Sequence, residues 1–490
     1  MHLHRSVLVA VLLCSGAFAV AGQSTMARHH RSQLLPITTS SPAARMLFQK
    51  AMVNMEDLRT EWALAGWRAA ARKDPNFAQS EILVAYLTQD PAEEMAALAK
   101  AKQLEPKVTP GERLLIEWLS GVRESRYVPA IAAMNDLLAM YPKDRRIAFL
   151  AGRWMIQRRR YDHGEMLLEQ AIALYPNYPA AVNELGYAYA YNGEFKKAMA
   201  MMEKYVALQP SEPNPQDSYA EILRLSGNFN GALEHYRKAL ELDPNFVSSQ
   251  LGIADTYALM GDEDQARHEY EKAIAVADGE GARLQYGLQQ AATYVRERRY
   301  VQADQAFRAL ADEAHRQGFA RVEAEAYRSI AVYEPQVSAA MKSLDQAEKA
   351  LQDHPLSQSD IEEEHALLLG ARARRELQSS DRTAAVKSVL QLQTLAASSR
   401  SEVVQRSYHA AAGALAMAQG KYTQAVAHLE EDQNNPLSLE LLWQAYGKTG
   451  AREQTEALRS DVAALNDPTL EQALVGPQLR ASLSGAAAHP

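Results

Sequence analysis

The sequence predicts an all-α protein, a right-handed α-solenoid (superhelix) of about twelve helix pairs, because one helical pattern recurs along it. Proline returns every 34 residues, together with a large aliphatic residue two positions before it and an aromatic residue fifteen positions before it. The four sets are Tyr127, Met140 and Pro142; Tyr161, Leu174 and Pro176; Phe195, Leu208 and Pro210; and Phe229, Leu242 and Pro244. A period of this length indicates helix pairs that bury their apolar faces only against neighbouring pairs.

The unit over residues 179–212 shows why each position is needed. Gly186 on the first helix and Ala198 on the second are small where we expect the two backbones to approach. Gly193 makes the turn between the helices, and Pro210 ends the second helix because it cannot donate a backbone hydrogen bond. The next two units repeat this layout, although Asp278 stands where the last would place a proline.

The period loosens on both sides of residues 111–278. Upstream, the motifs Asp74-Pro75 and Glu105-Pro106 end helices at uneven spacing, and downstream most prolines disappear and the helices lengthen. We therefore predict an N-terminal array over residues 43–278 and a degenerate helical array over residues 281–465, with a soft junction between them. A C-terminal tail over residues 466–490 completes the division.

The first 21 residues have the pattern of a secretory signal peptide. An apolar run over residues 7–13 follows Arg5 and precedes small-residue cleavage sites at Ala17-Phe18-Ala19 and Ala19-Val20-Ala21. The run is shorter than the roughly 20 residues that a membrane-spanning helix needs, so we expect no stable membrane span after cleavage. We predict an exported protein, periplasmic or extracellular and bacterial. Residues 22–42 are polar, and we predict a disordered leader there.

Composition excludes several classes of function. The only cysteine, Cys14, lies in the signal peptide, so the mature chain has no disulfide, no thiol nucleophile and no cysteine-ligated metal. The formal net charge is -8, and the basic clusters, such as Arg158-Arg159-Arg160, fall at helix ends, where positive charge suits the helix dipole. With the export signal, this charge balance predicts no nucleic-acid partner.

The repeat resembles the tetratricopeptide repeat family, most specifically over residues 111–278 and more weakly over residues 43–110 and 281–465. The chain is also similar to a group of exported bacterial tetratricopeptide proteins of undefined function. That similarity lies in the stretches ITTSSPAAR at residues 37–45, KDPNFA at residues 73–78 and PNPQDSYAE at residues 213–221. The resemblance implies a scaffold that binds a protein or peptide and carries out no chemistry.

The family geometry implies that the first helix of each pair lines the concave face and exposes its side chains to a partner. Tyrosine gives such a face rigid contact area with a polar tip, and asparagine can bond a backbone amide. Each position has the alternative interpretation of a solvated or packing residue. The implied partner-binding residues are Arg146, Phe149, Arg153, Asn183, Tyr187, Tyr191, Asn214, Asp217, Glu221 and Arg224.

We find no catalytic pattern in the sequence and predict no catalysis, no cofactor and no metal. Glu362 and His365 have a metal-ligand spacing on one helix, but a single pair favours a solvated helix face. No glycine-rich phosphate loop or nucleophile elbow is present. Two alternatives to a binding scaffold stay open: a structural assembly factor of a cell-envelope complex, and an enzyme with its site in residues 281–465.

Overall fold

In the computed structural model, the described part of the chain consists of 25 α-helices and one short 3-10 helix, and it contains no strand. The helices form twelve consecutive pairs followed by one extra helix, which confirms the predicted all-α solenoid and its number of pairs. No helix within the described ranges is long and apolar enough to span a membrane. The structure describes residues 34–88, 91–124, 126–353, 356–379, 382–399, 401–433, 435–463 and 465–483.

The first seven pairs have helices of similar length. They are α1 (Pro42–Glu56) and α2 (Thr60–Lys73), α3 (Ala78–Leu87) and α4 (Pro91–Leu104), α5 (Pro110–Arg123) and α6 (Tyr127–Met140), α7 (Arg145–Gln157) and α8 (Tyr161–Leu174), α9 (Pro179–Tyr191) and α10 (Phe195–Leu208), α11 (Pro213–Leu225) and α12 (Phe229–Leu242), and α13 (Val247–Met260) and α14 (Glu263–Ala275). The 3-10 helix, Glu105–Lys107, lies between α4 and α5.

Most helices of the remaining pairs are longer, as the sequence predicted. They are α15 (Glu280–Arg296) and α16 (Tyr300–Gln317), α17 (Ala320–Tyr333) and α18 (Val337–Asp353), α19 (Gln358–Gln378) and α20 (Arg382–Ser398), α21 (Glu402–Ala418) and α22 (Tyr422–Leu429), and α23 (Pro436–Thr449) and α24 (Arg452–Ala463), followed by α25 (Leu470–Leu483).

Consecutive helices pack against each other along the whole described chain. From α7 to α23 the first helix of each pair also contacts the first helix of the next pair, so these helices form a continuous inner layer. The solenoid curls far enough for its two halves to meet, because Arg158 Nη1 at the end of α7 lies 3.7 Å from Glu402 Oε2 at the start of α21. The inner layer therefore encloses a groove.

The helix crossing within a pair depends on small residues. A Cβ atom added at Gly186 would clash with the terminal methyl group of Met202, and Met202 and Ala198 are fully buried on the opposing helix. A Cβ atom added at Gly152, 34 residues earlier, would likewise clash with the side chain of Leu168 on α8. The predicted close approach at Gly186 and Ala198 is confirmed, and it recurs at the equivalent position of the preceding pair.

The turn inside a pair needs a left-handed backbone. Gly193, Gly227 and Gly261 adopt φ values of 77°, 83° and 83° there, which glycine tolerates because it has no Cβ. Arg159 lies 34 residues before Gly193 and adopts φ 56° at the same turn. The second residue of the Arg158-Arg159-Arg160 cluster thus occupies a glycine position, in addition to lying at a helix end.

The prediction of a disordered leader over residues 22–42 is wrong for residues 34–42. The backbone N–H of Leu35 donates to Asp144 Oδ2 at 2.9 Å, and Gln79 Nε2 donates to the carbonyl oxygen of Pro36 at 2.6 Å. Pro42 already begins α1. Polar composition suggested disorder, but the side chains of Gln79 on α3 and of Asp144, the N-cap of α7, bond to the backbone of this segment. The predicted signal peptide and residues 22–33 lie outside the described residues.

The prediction of a C-terminal tail from residue 466 is also wrong for residues 466–483. These residues include α25, which contacts α15, α17, α23 and α24. Val475 is 3% exposed and packs with Leu439 and Val462. The junction predicted near residues 278–281 falls between α14 and α15, which pack on each other like other neighbouring helices; the division into two arrays stays a prediction.

Gly186→Leu should destabilise the array by about 1 to 3 kcal/mol, since overpacking a closed helix crossing forces side chains and backbone apart. The melting midpoint measured by circular dichroism reports this change. Gly447→Leu is the matched control, because a Cβ atom at Gly447 meets nothing within 4 Å. Equal midpoints for the two variants would contradict the helix register described above.

Arg159→Gly should raise the melting midpoint, because a left-handed conformation costs an L-residue about 1 to 2 kcal/mol that glycine avoids. The larger unfolded-state entropy of glycine offsets roughly 0.5 to 1 kcal/mol of this gain. Arg160→Gly is the control, since Arg160 has φ -91° and also bears a charge. A midpoint raised equally by both changes would mean that charge, and not backbone conformation, is responsible.

Candidate functional site

All ten predicted partner-binding residues lie on three consecutive helices of the inner layer, α7, α9 and α11. Their surroundings differ because segments from both ends of the chain enter the groove. We call residues 34–56 the N-terminal segment and residues 465–483 the C-terminal segment. The first covers part of α7, the second covers the end of α11, and the region between them stays open.

The N-terminal segment covers Arg146 and Phe149. Glu56, the last residue of α1, accepts a hydrogen bond from Arg146 Nε at 2.6 Å. Phe149 is 2% exposed and packs against the ring of Tyr178 at 5.2 Å, beside a cavity of about 90 Å³ that Leu35 also lines. The expectation that Phe149 is exposed to a partner is wrong, because the chain itself covers this part of the inner face.

The open region of the groove contains a pair of tyrosines on α9. Tyr191 is 51% exposed, and its ring stacks on that of Tyr187 at 6.1 Å with 28° between the planes. The hydroxyl of Tyr187 donates to Glu221 Oε2 at 2.6 Å, which joins α9 to α11. Tyr161 supports Tyr191 from the other side at 5.8 Å. The hydrogen bond of Tyr187 and the ring contact of Tyr161 thus hold the exposed ring of Tyr191 in place.

Two buried polar groups beside the tyrosines lack hydrogen-bond partners in the described structure. Arg153 Nε lies 3.2 Å from Glu184 Oε1, yet neither this nitrogen nor Nη1 makes a hydrogen bond of good geometry. Asn183 is 6% exposed, which contradicts its predicted exposure, and its Oδ1 accepts no hydrogen bond. These atoms are buried from solvent, so their desolvation costs stability that no hydrogen bond in the described structure offsets.

The polar residues of α11 bond to neighbouring elements. Asn214 Nδ2 donates to the hydroxyl of Tyr205 at 2.8 Å, and Asp217 Oδ1 accepts from Ser249 Oγ at 2.6 Å. Arg224 is 5% exposed, because Asn466 of the C-terminal segment lies over it and accepts a hydrogen bond from its Nη1 at 2.9 Å. The predicted exposure of Arg224 is therefore wrong, since this chain already covers it and occupies its Nη1.

The inner face carries carboxylates in a poorly solvated environment. Burial raises the pKa of Asp217 to about 7; Glu221 adds to the rise, and Ser249 and Arg224 oppose it. Burial also raises the pKa of Glu184, against the opposing charge of Arg153. Raised carboxyl pKa values mark places where a cation or a hydrogen-bond donor from a partner would be well received.

Further along the groove, α15, α17, α19 and α21 and the C-terminal segment enclose a cavity of about 650 Å³. Arg328, Arg374 and Arg406 line it from three successive inner helices, and Asp432 also contributes. Burial raises the pKa of Asp432 to about 6, although Ser438 and nearby arginines oppose the rise. Within the described ranges, no group of three or more histidines, cysteines, aspartates or glutamates is placed to hold a metal ion.

Sequence reasoning missed several residues of this groove. Glu184 follows Asn183 and lies three residues before Tyr187, so the helical period that selected those two residues also predicts its place on the same face. No sequence period identifies Glu56, Arg296 or Asn466, because the residues that they contact lie far away in the chain.

The sequence matches family models of the tetratricopeptide repeat. The description "TPR repeat" matches residues 220–261, and "Tetratricopeptide repeat" matches residues 155–222 and 247–278. Residues 155–278 are thus tetratricopeptide repeats, which confirms the predicted family for this part of the chain. No curated protein matches the chain.

Solved structures with similar architecture have low sequence identity. A tetratricopeptide repeat protein from Parabacteroides merdae is 13% identical with a TM-score of 0.36, over 63% of this chain and 100% of that one. The anaphase-promoting-complex hetero-tetramer Cut9-Hcn1 gives 14% and 0.37, over 82% and 76%. PilW, a widely conserved type IV pilus biogenesis factor, gives 19% and 0.31, over 42% and 96%. None of these similarities bears on the partner of this chain.

Asp217→Asn should raise the melting midpoint by a few degrees at pH 8 and leave it unchanged near pH 4. The folded state raises the carboxyl pKa from 3.8 to about 7, so stability falls as pH rises through this interval, where only the unfolded chain ionises fully. In the variant the amide oxygen still accepts a hydrogen bond from Ser249, and no stability is lost as pH rises because the amide does not ionise. Thermal melts from pH 4 to pH 8 measure the difference, with exposed Asp136→Asn as control. A shift of equal size at every pH would contradict the role of ionisation.

Proposed function

We propose that this protein is a non-catalytic scaffold that binds an extended segment of a protein partner in the open region of the inner groove. The region comprises Arg153 on α7, Asn183, Tyr187 and Tyr191 on α9, and Glu221 on α11. Tetratricopeptide repeats over residues 155–278 support a role in protein interaction. The groove supports it further, because the inner helices place these side chains on one continuous face.

The observation that carries the proposal is the exposed ring of Tyr191, which Tyr161 and Tyr187 hold in place in the groove. A peptide backbone offers a carbonyl acceptor and an amide donor at every residue, so an extended segment bonds to accessible polar side chains along this face. The ring of Tyr191 then covers the segment with rigid apolar surface. Glu184, Asp217 and Glu221 favour a partner segment with lysine, arginine or other donors.

The strongest support for the catalytic alternative is the cavity of about 650 Å³, because several titratable side chains line it, as they line an active site. Among the lining residues, however, no histidine or cysteine stands beside Ser329 or Ser407 to act as base or nucleophile. Arginines facing carboxylates are suited to binding, and we therefore assign the cavity to ligand recognition.

We also propose that the protein works outside the cytoplasm, in the bacterial periplasm or at the cell exterior, because residues 1–21 have the pattern of a signal peptide. A role as assembly factor of an envelope complex is compatible with the same groove. Cell fractionation with sequencing of the mature N-terminus tests the location. A cytoplasmic chain that keeps Met1 would reject it.

Replacing Tyr191 by Ala should weaken partner binding by roughly 2 kcal/mol or more, as truncation of an aromatic anchor commonly does, without lowering the melting midpoint. Tyr187 supports Tyr191, so the double replacement of Tyr187 and Tyr191 by Ala should bind still more weakly. Immobilised mature chain captures partners from an envelope extract, and isothermal calorimetry then compares the variants with the purified partner.

Trp62→Ala is the matched control, since Trp62 is 69% exposed on α2, a second helix that is not part of the inner layer. The proposal requires a partner that the wild-type and Trp62→Ala chains retain and the Tyr187→Ala, Tyr191→Ala chain loses. A partner retained equally by all of them would mean that another surface binds it.

A further inference from the structure

The C-terminal segment lies in the groove as a bound peptide would. Asn466 Nδ2 donates to the carbonyl oxygen of Leu225, the last residue of α11, at 3.2 Å, and its own carbonyl oxygen accepts from Arg224. Further along, Arg296 on α15 donates through Nη1 to Gln472 Oε1 at 2.7 Å and through Nη2 to the carbonyl oxygen of Thr469 at 3.3 Å. Two arginines of the inner layer thus hold residues 466–472, the first part of the segment.

Two of these four hydrogen bonds use main-chain atoms of the segment, and the other two use its side chains. Arg224 and Arg296 each donate to a backbone carbonyl oxygen, which any peptide in the same path would offer. Only the amides of Asn466 and Gln472 are specific to this sequence. The apolar contacts are those of an amphipathic helix, because Leu470 and Leu474, four residues apart on α25, both pack against the core beneath α15 and α17.

The segment leaves polar groups of the groove unsatisfied. Arg224 Nε has no hydrogen-bond partner. Arg374 lines the cavity of about 650 Å³ next to residues 467–471, and no carboxylate in the described chain lies within ion-pairing distance of its guanidinium. Burial lowers the pKa of Arg374, against the more distant charges of Glu471 and Asp432. A different segment, with a carboxylate directed into the cavity, would satisfy groups that α25 does not.

We propose that the second half of the groove, from Arg224 to Arg406, is a binding site for an amphipathic helical segment of a protein partner that carries an acidic residue, and that residues 465–483 occupy this site as an internal competitor. The site binds a helix through two leucine-like side chains one turn apart. It binds the residues that precede this helix through their main-chain carbonyl groups. The inference extends the proposed scaffold function to a second region of the groove.

The test measures binding in trans of a fluorescently labelled synthetic peptide, residues 465–483, to the full mature chain by anisotropy. Asn466→Ala with Gln472→Ala removes hydrogen bonds from the internal segment and leaves the groove intact. The labelled wild-type peptide should then bind about tenfold more tightly than it binds the unmodified chain, which corresponds to the loss of two ordinary hydrogen bonds. Adding Arg296→Gln, which removes a groove contact, should reverse much of this gain.

Glu453→Gln on exposed α24 is the matched control and should leave peptide affinity unchanged. Equal affinity of the peptide for the tail variant and the wild-type chain would overturn the proposal. The peptide assay uses no envelope partner, so failure of the tyrosine surface and failure of this site give different results.

A second measurement avoids dependence on the folding of the tail variant. Excess unlabelled peptide added to the wild-type chain should accelerate hydrogen exchange in the chain's own residues 465–476, because the two copies compete for one site. Exchange that stays unchanged at the highest peptide concentration would overturn the proposal.

Discussion

The structure depends on the fact that a helix pair cannot bury its apolar face alone. Each pair gains its core from the next, and the small residues at Gly152 and Gly186 let the paired backbones come close enough for this stacking. The same stacking aligns the first helices into an inner layer whose side chains cannot all reach bulk water. Buried polar groups there need partners, and the chain supplies several of them from its own two ends.

Local patterns predict only what local interactions determine. The 34-residue period identified the helix pairs and the glycine turns, and the family resemblance implied the inner position of α7, α9 and α11. All of these follow from contacts within about two repeats. The N-terminal and C-terminal segments bond to residues such as Asp144 and Arg224, which lie 109 and 242 residues away in the chain. No period connects positions so far apart, so the sequence suggested a disordered leader and a C-terminal tail.

Contacts between distant parts of the chain also decide which of the predicted site residues are accessible. Tyr187, Tyr191 and Arg153 are where a partner can reach them, since neither terminal segment covers that stretch. Phe149 and Arg224 also lie on first helices of their pairs, but Phe149 lies beneath the N-terminal segment and Arg224 beneath Asn466. Repeat position therefore predicts which residues face the groove, whereas accessibility depends on what else the chain folds into it.

An internal occupant changes what a partner must offer. A tethered segment acts at an effective concentration on the order of millimolar when its linker is short, so a ligand that merely reproduces the contacts of α25 is at a disadvantage. A ligand gains only from interactions that the segment lacks, and the groove offers these at Arg224 Nε and at Arg374. Such competition favours partners with a correctly placed carboxylate over generic amphipathic helices. Selectivity then arises from the groups that the chain leaves unsatisfied, because those are the groups that only the right partner can satisfy.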